Sequence, residues 1–253
     1  MLYYQGGKYN PDVKPKRIIS VVPSQTELLY YLDNKPIAQT IFCIHPQSSF
    51  KSATKIGGTK KLNIAKIRYL NPDLIIANKE ENDQGQIEEL AAEFDVWLSD
   101  IITIDNALEM IADVGRIVGK EKLALNLINA LTHHFQLTHQ IEQRSCLYLI
   151  WREPYMAAGK STFIDAILET YNLTNVLNEE RYPVLTNDSI EQLKPELILL
   201  SSEPYPFKHQ HIDEIKKLSP TSKVLLADGE LFSWYGNRLL KSVTEIPKLL
   251  REK

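Results

Sequence analysis

The sequence is short of the residues that mark the more specialised protein classes. Its two cysteines, Cys43 and Cys146, stand alone among 253 residues, without the paired spacing of a zinc site or a disulfide framework. With 29 basic against 32 acidic residues the net charge is −3, so no basic surplus argues for nucleic acid. No run of about 18 apolar residues suggests a membrane span. The opening MLYYQGGKYNPDVKPKR lacks a charged segment followed by an apolar core, so no export signal is visible; as written, the chain stays in the cytoplasm. Glycine is sparse too. Lys55-Ile56-Gly57-Gly58-Thr59-Lys60 reads as a turn without the spacing of a dinucleotide or phosphate loop, and Gly159-Lys160-Ser161 has Pro154 where a phosphate loop needs glycine. Ser161 instead reads as the cap of a helix over Phe163 to Tyr171. What remains, at 43% hydrophobic, is a globular composition sufficient for one large or two modest domains.

One stretch stands out by having neither glycine nor proline: Lys120 to Arg144. Leu123, Leu127, Leu131, Phe135, Thr138 and Ile141 recur at three or four residues, the spacing of one helical face. A single helix of this length spans about 35 Å, enough to join two lobes as a stiff strut. His133, His134 and His139 lie on it, but their spacing does not suit shared metal binding.

The flanks of this helix are alike. Ile67-Arg-Tyr-Leu70-Asn-Pro72-Asp73-Leu74-Ile75-Ile76 precedes it, and Ile190-Glu-Gln-Leu193-Lys-Pro195-Glu196-Leu197-Ile198-Leu199 follows. Each then continues into a polar loop, an amphipathic helix and a strand reading V-x-L-x-D, at Val96 to Asp100 and Val224 to Asp228. A generic helix-to-strand junction explains one such match; the same features in the same order point to one unit used twice. The expected organisation is an α/β fold of two similar Rossmann-like lobes with central parallel sheets, over 1–118 and 145–253, joined by a long rigid helix over 119–144.

Candidate site residues fall on loops after strands, where α/β sheets bind ligands. Ser24 and Glu27, just after the first strand, have the S-x-x-E spacing of a capping box, with ligand contact at the helix start as the alternative. Cys43 and His45 end a second strand read over Ile37 to Ile44, where alternation puts thiol and imidazole on one side; the competing reading is a packed cysteine beside a surface histidine. In the second half, Trp151, Arg152, Tyr155 and Met156 can offer a cation and a flat apolar surface. His209 and His211 form an isolated H-x-H. Phe232, Trp234 and Tyr235, closed by Gly236 and Arg238, place three aromatics within four positions, too many to bury easily, so some are expected to line a site.

On these features the chain resembles the substrate-binding proteins of ABC importers for vitamin B12 and iron chelates, the helical-backbone metal receptors. The resemblance runs from Val21-Val22-Pro23-Ser24-Gln25-Thr26-Glu27 through Lys55-Ile56-Gly57-Gly58-Thr59 and Asn71-Pro72-Asp73-Leu74-Ile75 to Ala158-Gly159-Lys160 and Trp234-Tyr235-Gly236-Asn237-Arg238. It implies a non-enzymatic monomer that holds a corrinoid, ferric siderophore or haem in a cleft between lobes, with no covalent cofactor, and delivers it to an ABC permease. Carried onto this chain, the ligand residues are Cys43, His45, Trp151, Arg152, Tyr155, Phe232, Trp234, Tyr235 and Arg238, with Cys43 or His45 meeting metal only through a bound chelate. Docking acids correspond to Glu80 and Glu81 in one copy and Glu203 in the other, with Gln84 nearer the helix start where an acid is expected. The resemblance also implies a periplasmic or cell-surface location for a trimmed mature form. The alternative is a cytoplasmic enzyme or sensor acting on a corrinoid or metal complex through Cys43 and His45.

Overall fold

The computed structural model describes residues 1–7, 9, 14–137 and 141–251. Within them the chain forms two compact units. The first takes Met1–Ile101, Asp105–Ala130 and Tyr235–Arg238; the second takes Ile102–Ile104, Leu131–Trp234 and the stretch from Leu239 onward.

The first unit runs β1 (Leu2–Tyr4), β2 (Ile18–Ser20), α1 (Pro23–Tyr31), β3 (Ala38–Gln39), α2 (Gln47–Phe50), β4 (Thr54–Lys55), β5 (Gly57–Gly58), β6 (Lys61–Leu62), α3 (Ile64–Leu70), β7 (Leu74–Asn78), α4 (Gln84–Ala91), β8 (Val96–Ser99) and α5 (Ile104–Ile117). Its sheet has the order β1-β8-β7-β2-β3-β4, every neighbour parallel. Parallel strands are covered on both sides, which is why β7 is an unbroken run of buried residues rather than an alternation. The sheet grows from β2 first toward β3 and later toward β7. The loops leaving β2 and β7 therefore diverge, creating a switch point at the carboxyl edge.

Helix α6 (Glu121–Leu137) carries the chain from the first unit, which it leaves at Ala130, to the second. It is shorter than the sequence suggests: Ile141 to Gln143 are not helical, and Thr138 and His139 lie outside the described residues. Its buried side is Ala124, Leu127 and Leu131, whereas Leu123, expected on that side, is exposed.

The second unit contains β9 (Arg144–Trp151), β10 (Tyr155–Ala157), α7 (Phe163–Thr170), β11 (Leu173–Asn175), β12 (Val184–Leu185), α8 (Asn187–Leu193), β13 (Leu197–Ser201), α9 (His209–Leu218), β14 (Lys223–Ala227), α10 (Glu230–Ser233) and α11 (Leu239–Arg251). Strands β11, β9, β13 and β14 are parallel, and β10 and β12 add an antiparallel extension beside β9. Removing that extension leaves the plan of the first unit, with β9, α7, β11, β13 and β14 in the places of β2, α1, β3, β7 and β8.

The duplication extends to atoms. Asn63 caps α3 by accepting from the Lys66 amide, and Thr186 caps α8 by accepting from the Ser189 amide. Each helix ends in a left-handed residue, Asn71 at φ 44° and Lys194 at φ 43°, followed by proline, which cannot extend a helix. The next acid then grips the neighbouring strand. Asp73 accepts from the amides of Lys16 and Arg17, both at 2.9 Å, before β2. Glu196 accepts from the Ser145 amide at 2.7 Å and the Ser145 hydroxyl at 3.0 Å, at the start of β9.

Two expected caps are displaced by one feature each. Helix α1 starts at Pro23, whose fixed φ suits the first helical position, so Val22 holds the cap and no Ser24–Glu27 box forms. Ser161 sits at φ 58°, and Thr162 caps α7 instead, accepting from the Asp165 amide at 3.1 Å.

Candidate functional site

In the first unit the carboxyl edge of the sheet is a buried polar network. Thr26 Oγ1 lies 2.7 Å from Ser20 Oγ, 2.8 Å from the Val22 carbonyl and 3.1 Å from Cys43 Sγ. Thr40 Oγ1 reaches Cys43 Sγ from its other side, also at 3.1 Å. Asn78 Nδ2 donates to Ser99, and Asn82 Nδ2 donates to the carbonyls of Val21 and Thr59, tying the loops after β2, β5 and β7 together. Gln25 donates its amide to Ser99 Oγ, while its buried Oε1 has no hydrogen-bond partner.

Cys43 belongs to this network and not to an exposed strand end. Strand β3 stops at Gln39, and the chain turns through Thr40–Ile44, with the Cys43 amide donating to the Thr40 carbonyl. The thiol is fully buried, and that burial pushes its pKa up despite the Thr26 and Thr40 hydroxyls. His45 is half-buried ahead of Pro46. The same turn that buries Cys43 expels its apolar neighbours: Ile41, Phe42 and Ile44 are 47%, 53% and 40% exposed. Phe42 lies across Gly58, where a Cβ would come within 3.0 Å of the ring. This apolar tip was invisible in the sequence because the run reads as the interior of a strand.

In the second unit the corresponding switch point lies between the loops leaving β9 and β13. Trp151 ends β9, pairs in register with Met156, and Met156 pairs with Val184. The three form an apolar row across β9, β10 and β12, with Trp151 39% and Val184 59% exposed. Tyr205, from the loop after β13, meets Trp151 edge-on at 5.8 Å. Arg152 follows Trp151 but is already paired, with Glu214 at 3.0 Å and Glu153 at 2.7 Å. Tyr155 is half-buried beside it.

The aromatic segment after β14 corrects the expectation of exposure: Phe232, Trp234 and Tyr235 are all buried. Phe232 packs on Tyr148 at 5.0 Å between ring centres. Trp234 Nε1 donates to Glu203 Oε1 at 3.0 Å, an acceptor it shares with Ser233 Oγ. The short helix α10 makes this burial feasible by reversing the chain. Arg238 is also buried, held by Glu27 within the first unit. Glu203 is thus turned inward. The matching loop differs: the amides of Glu80 and Glu81 both donate to Asn78 Oδ1, and Glu81 is exposed. Gln84 donates to Glu88 on α4.

Of the histidines, His211 is buried and accepts from the Lys208 amide at its own helix start. His133 and His209 are exposed and His134 is half-buried. Among the described residues no group of three His, Cys, Asp or Glu side chains could hold a metal ion, and no helix is long and apolar enough to cross a membrane.

Residues 18–221 match the family described as periplasmic binding protein. An uncharacterized ABC transporter substrate-binding lipoprotein of Bacillus subtilis, YvrC, is 24% identical, the alignment covering 94% of this chain and 82% of the relative. Among solved structures, the periplasmic vitamin B12 binding protein BtuF of Vibrio cholerae superposes with a TM-score of 0.80 at 18% identity, covering 94% of this chain and 97% of that one. A periplasmic heme binding protein from Pseudomonas aeruginosa gives the same TM-score and identity, covering 94% of each chain. At these identities the likeness establishes the fold.

Proposed function

We propose that this chain, which belongs to the periplasmic binding protein family, captures a metal chelate of the corrinoid, haem or ferric-siderophore class and hands it to an ABC importer. The observation that carries this reading is the apolar surface that each unit exposes: Ile41, Phe42 and Ile44 after β3 in the first, Trp151 and Val184 beside the half-buried Met156 in the second. Solvent-facing groups of this kind suit the broad apolar faces of a macrocycle. His45 and Tyr155 supply polar contacts beside them. Relatives named for vitamin B12 and for heme support the ligand class, and the lipoprotein and periplasmic relatives support action at the outer side of the cytoplasmic membrane. Glu80 and Glu81 are the acids we assign to permease docking.

The burial of Cys43 weighs against the enzyme reading through Cys43 and His45. A buried thiol with a raised pKa is a poor source of thiolate.

The test is a titration with cobalamin, cobinamide, haemin and a ferric siderophore, followed by visible absorbance and tryptophan quenching. Saturable single-site binding of at least one is expected, weakened about tenfold or more in Trp151→Ala. Failure to bind any of the four would end the metal-chelate reading.

A further inference from the structure

The charges beside the apolar row of the second unit carry a consequence for the ligand's rim. Both arginines read in the sequence as ligand residues are engaged by carboxylates of the chain itself: Arg152 by Glu214 and Glu153, and Arg238, in the first unit, by both oxygens of Glu27. Two lysines of the first unit are occupied too. Lys55 Nζ donates to the Phe50 carbonyl at 2.6 Å and sits over the Phe50 ring, and Lys60 Nζ donates to the carbonyls of Glu80 and Asn82.

We propose that the apolar surface of the second unit selects metal chelates whose periphery is uncharged, such as amide or alkyl groups, and discriminates against chelates that present carboxylates. The proposal rests on the metal-chelate reading above. A ligand carboxylate approaching Arg152 finds its Nε and Nη1 already held by Glu214 and Glu153 and adds a third negative charge beside theirs. Arg238 is less available still, because its release would strand the Glu27 carboxylate in a largely buried position. An amide rim avoids that competition, since it carries no charge for Glu153 or Glu214 to repel. Glu214 therefore acts as a specificity-determining residue from α9, through Arg152, without itself touching the ligand.

Haemin and haemin dimethyl ester present the same macrocycle and metal and differ in the charge of two carboxyl groups, so their affinities isolate the effect. The ester is expected to bind the full chain about tenfold more tightly than haemin. Glu214→Gln, which frees one face of Arg152, should raise haemin affinity severalfold and leave the ester unchanged. Haemin binding as tightly as the ester, no gain in Glu214→Gln, or a selective loss of haemin in Arg152→Met would each overturn the proposal while leaving the metal-chelate reading intact. Absence of binding by haemin, ester, dicyanocobinamide and a ferric siderophore alike would overturn both.

Discussion

Arg238 donates two hydrogen bonds to Glu27, at 2.9 and 2.8 Å, joining residues 211 apart in sequence. The pair is largely buried, the side chains 7% and 16% exposed. It fastens the segment Tyr235–Arg238 to α1, where Gly236 sits at φ 93° and a Cβ on it would come within 3.3 Å of Leu28 Cβ. Removing one partner leaves the other charge uncompensated. Arg238→Met should therefore cost about 3 kcal/mol of stability, and the double replacement Glu27→Leu with Arg238→Met should recover most of it. Urea unfolding of the wild type and the two variants measures both effects, and a double variant no better than Arg238→Met would contradict this account.

Glu196 gives a pH signature. Hydrogen bonds from the Ser145 amide and hydroxyl hold its carboxyl below the usual range. A carboxylate depressed in the folded state stabilises fully above its unfolded pKa, about 4.3, and loses that contribution as pH falls through the folded value. Wild type should accordingly outlast Glu196→Gln at pH 7, with the gap closing in acid. A gap that stays constant from pH 7 to 3 would show that the charge is not what Ser145 reads.

Both thiols should be silent in the native protein. Burial pushes the pKa of both Cys43 and Cys146 up from the ordinary thiol value. Iodoacetamide at pH 8 is expected to modify neither until denaturant is added, after which both react. Fast native labelling of Cys43, read by mass spectrometry, would revive it as an accessible contact.

Gly57 is fixed by its turn. It sits at φ 95°, and a Cβ there would lie 2.4 Å from the Lys61 carbonyl oxygen. Gly57→Ala should cost more than about 1 kcal/mol, since both the conformation and the space exclude a side chain. Thermal unfolding settles it, and an unchanged midpoint would mean that the β5–β6 turn can rebuild.

The fold was readable because its evidence is periodic and repeated. Ile67 to Ile76 and Ile190 to Leu199 each encode a helix, a stop and a buried parallel strand, and local signals of that kind survive in any context. The site was less readable because exposure is decided by where a chain turns. Ile41, Phe42 and Ile44 look like strand interior until Thr40 turns the backbone away from β3. Phe232, Trp234 and Tyr235 look like a surplus until α10 folds them inward. The engagement of Arg152 and Arg238 depends on Glu214 and Glu27, partners 62 and 211 residues away, and no spacing rule connects them.

The left-handed residue that ends α3 is asparagine, and the one that ends α8 is lysine. Asparagine tolerates that conformation, whereas lysine gives up about 1 kcal/mol to adopt it. The chain thus contains its own control experiment: one half shows what the other would gain by Lys194→Asn. That the bend forms with lysine as with asparagine indicates that the proline and the acid beyond it set the path into the strand, and the side chain at the corner only modulates its cost.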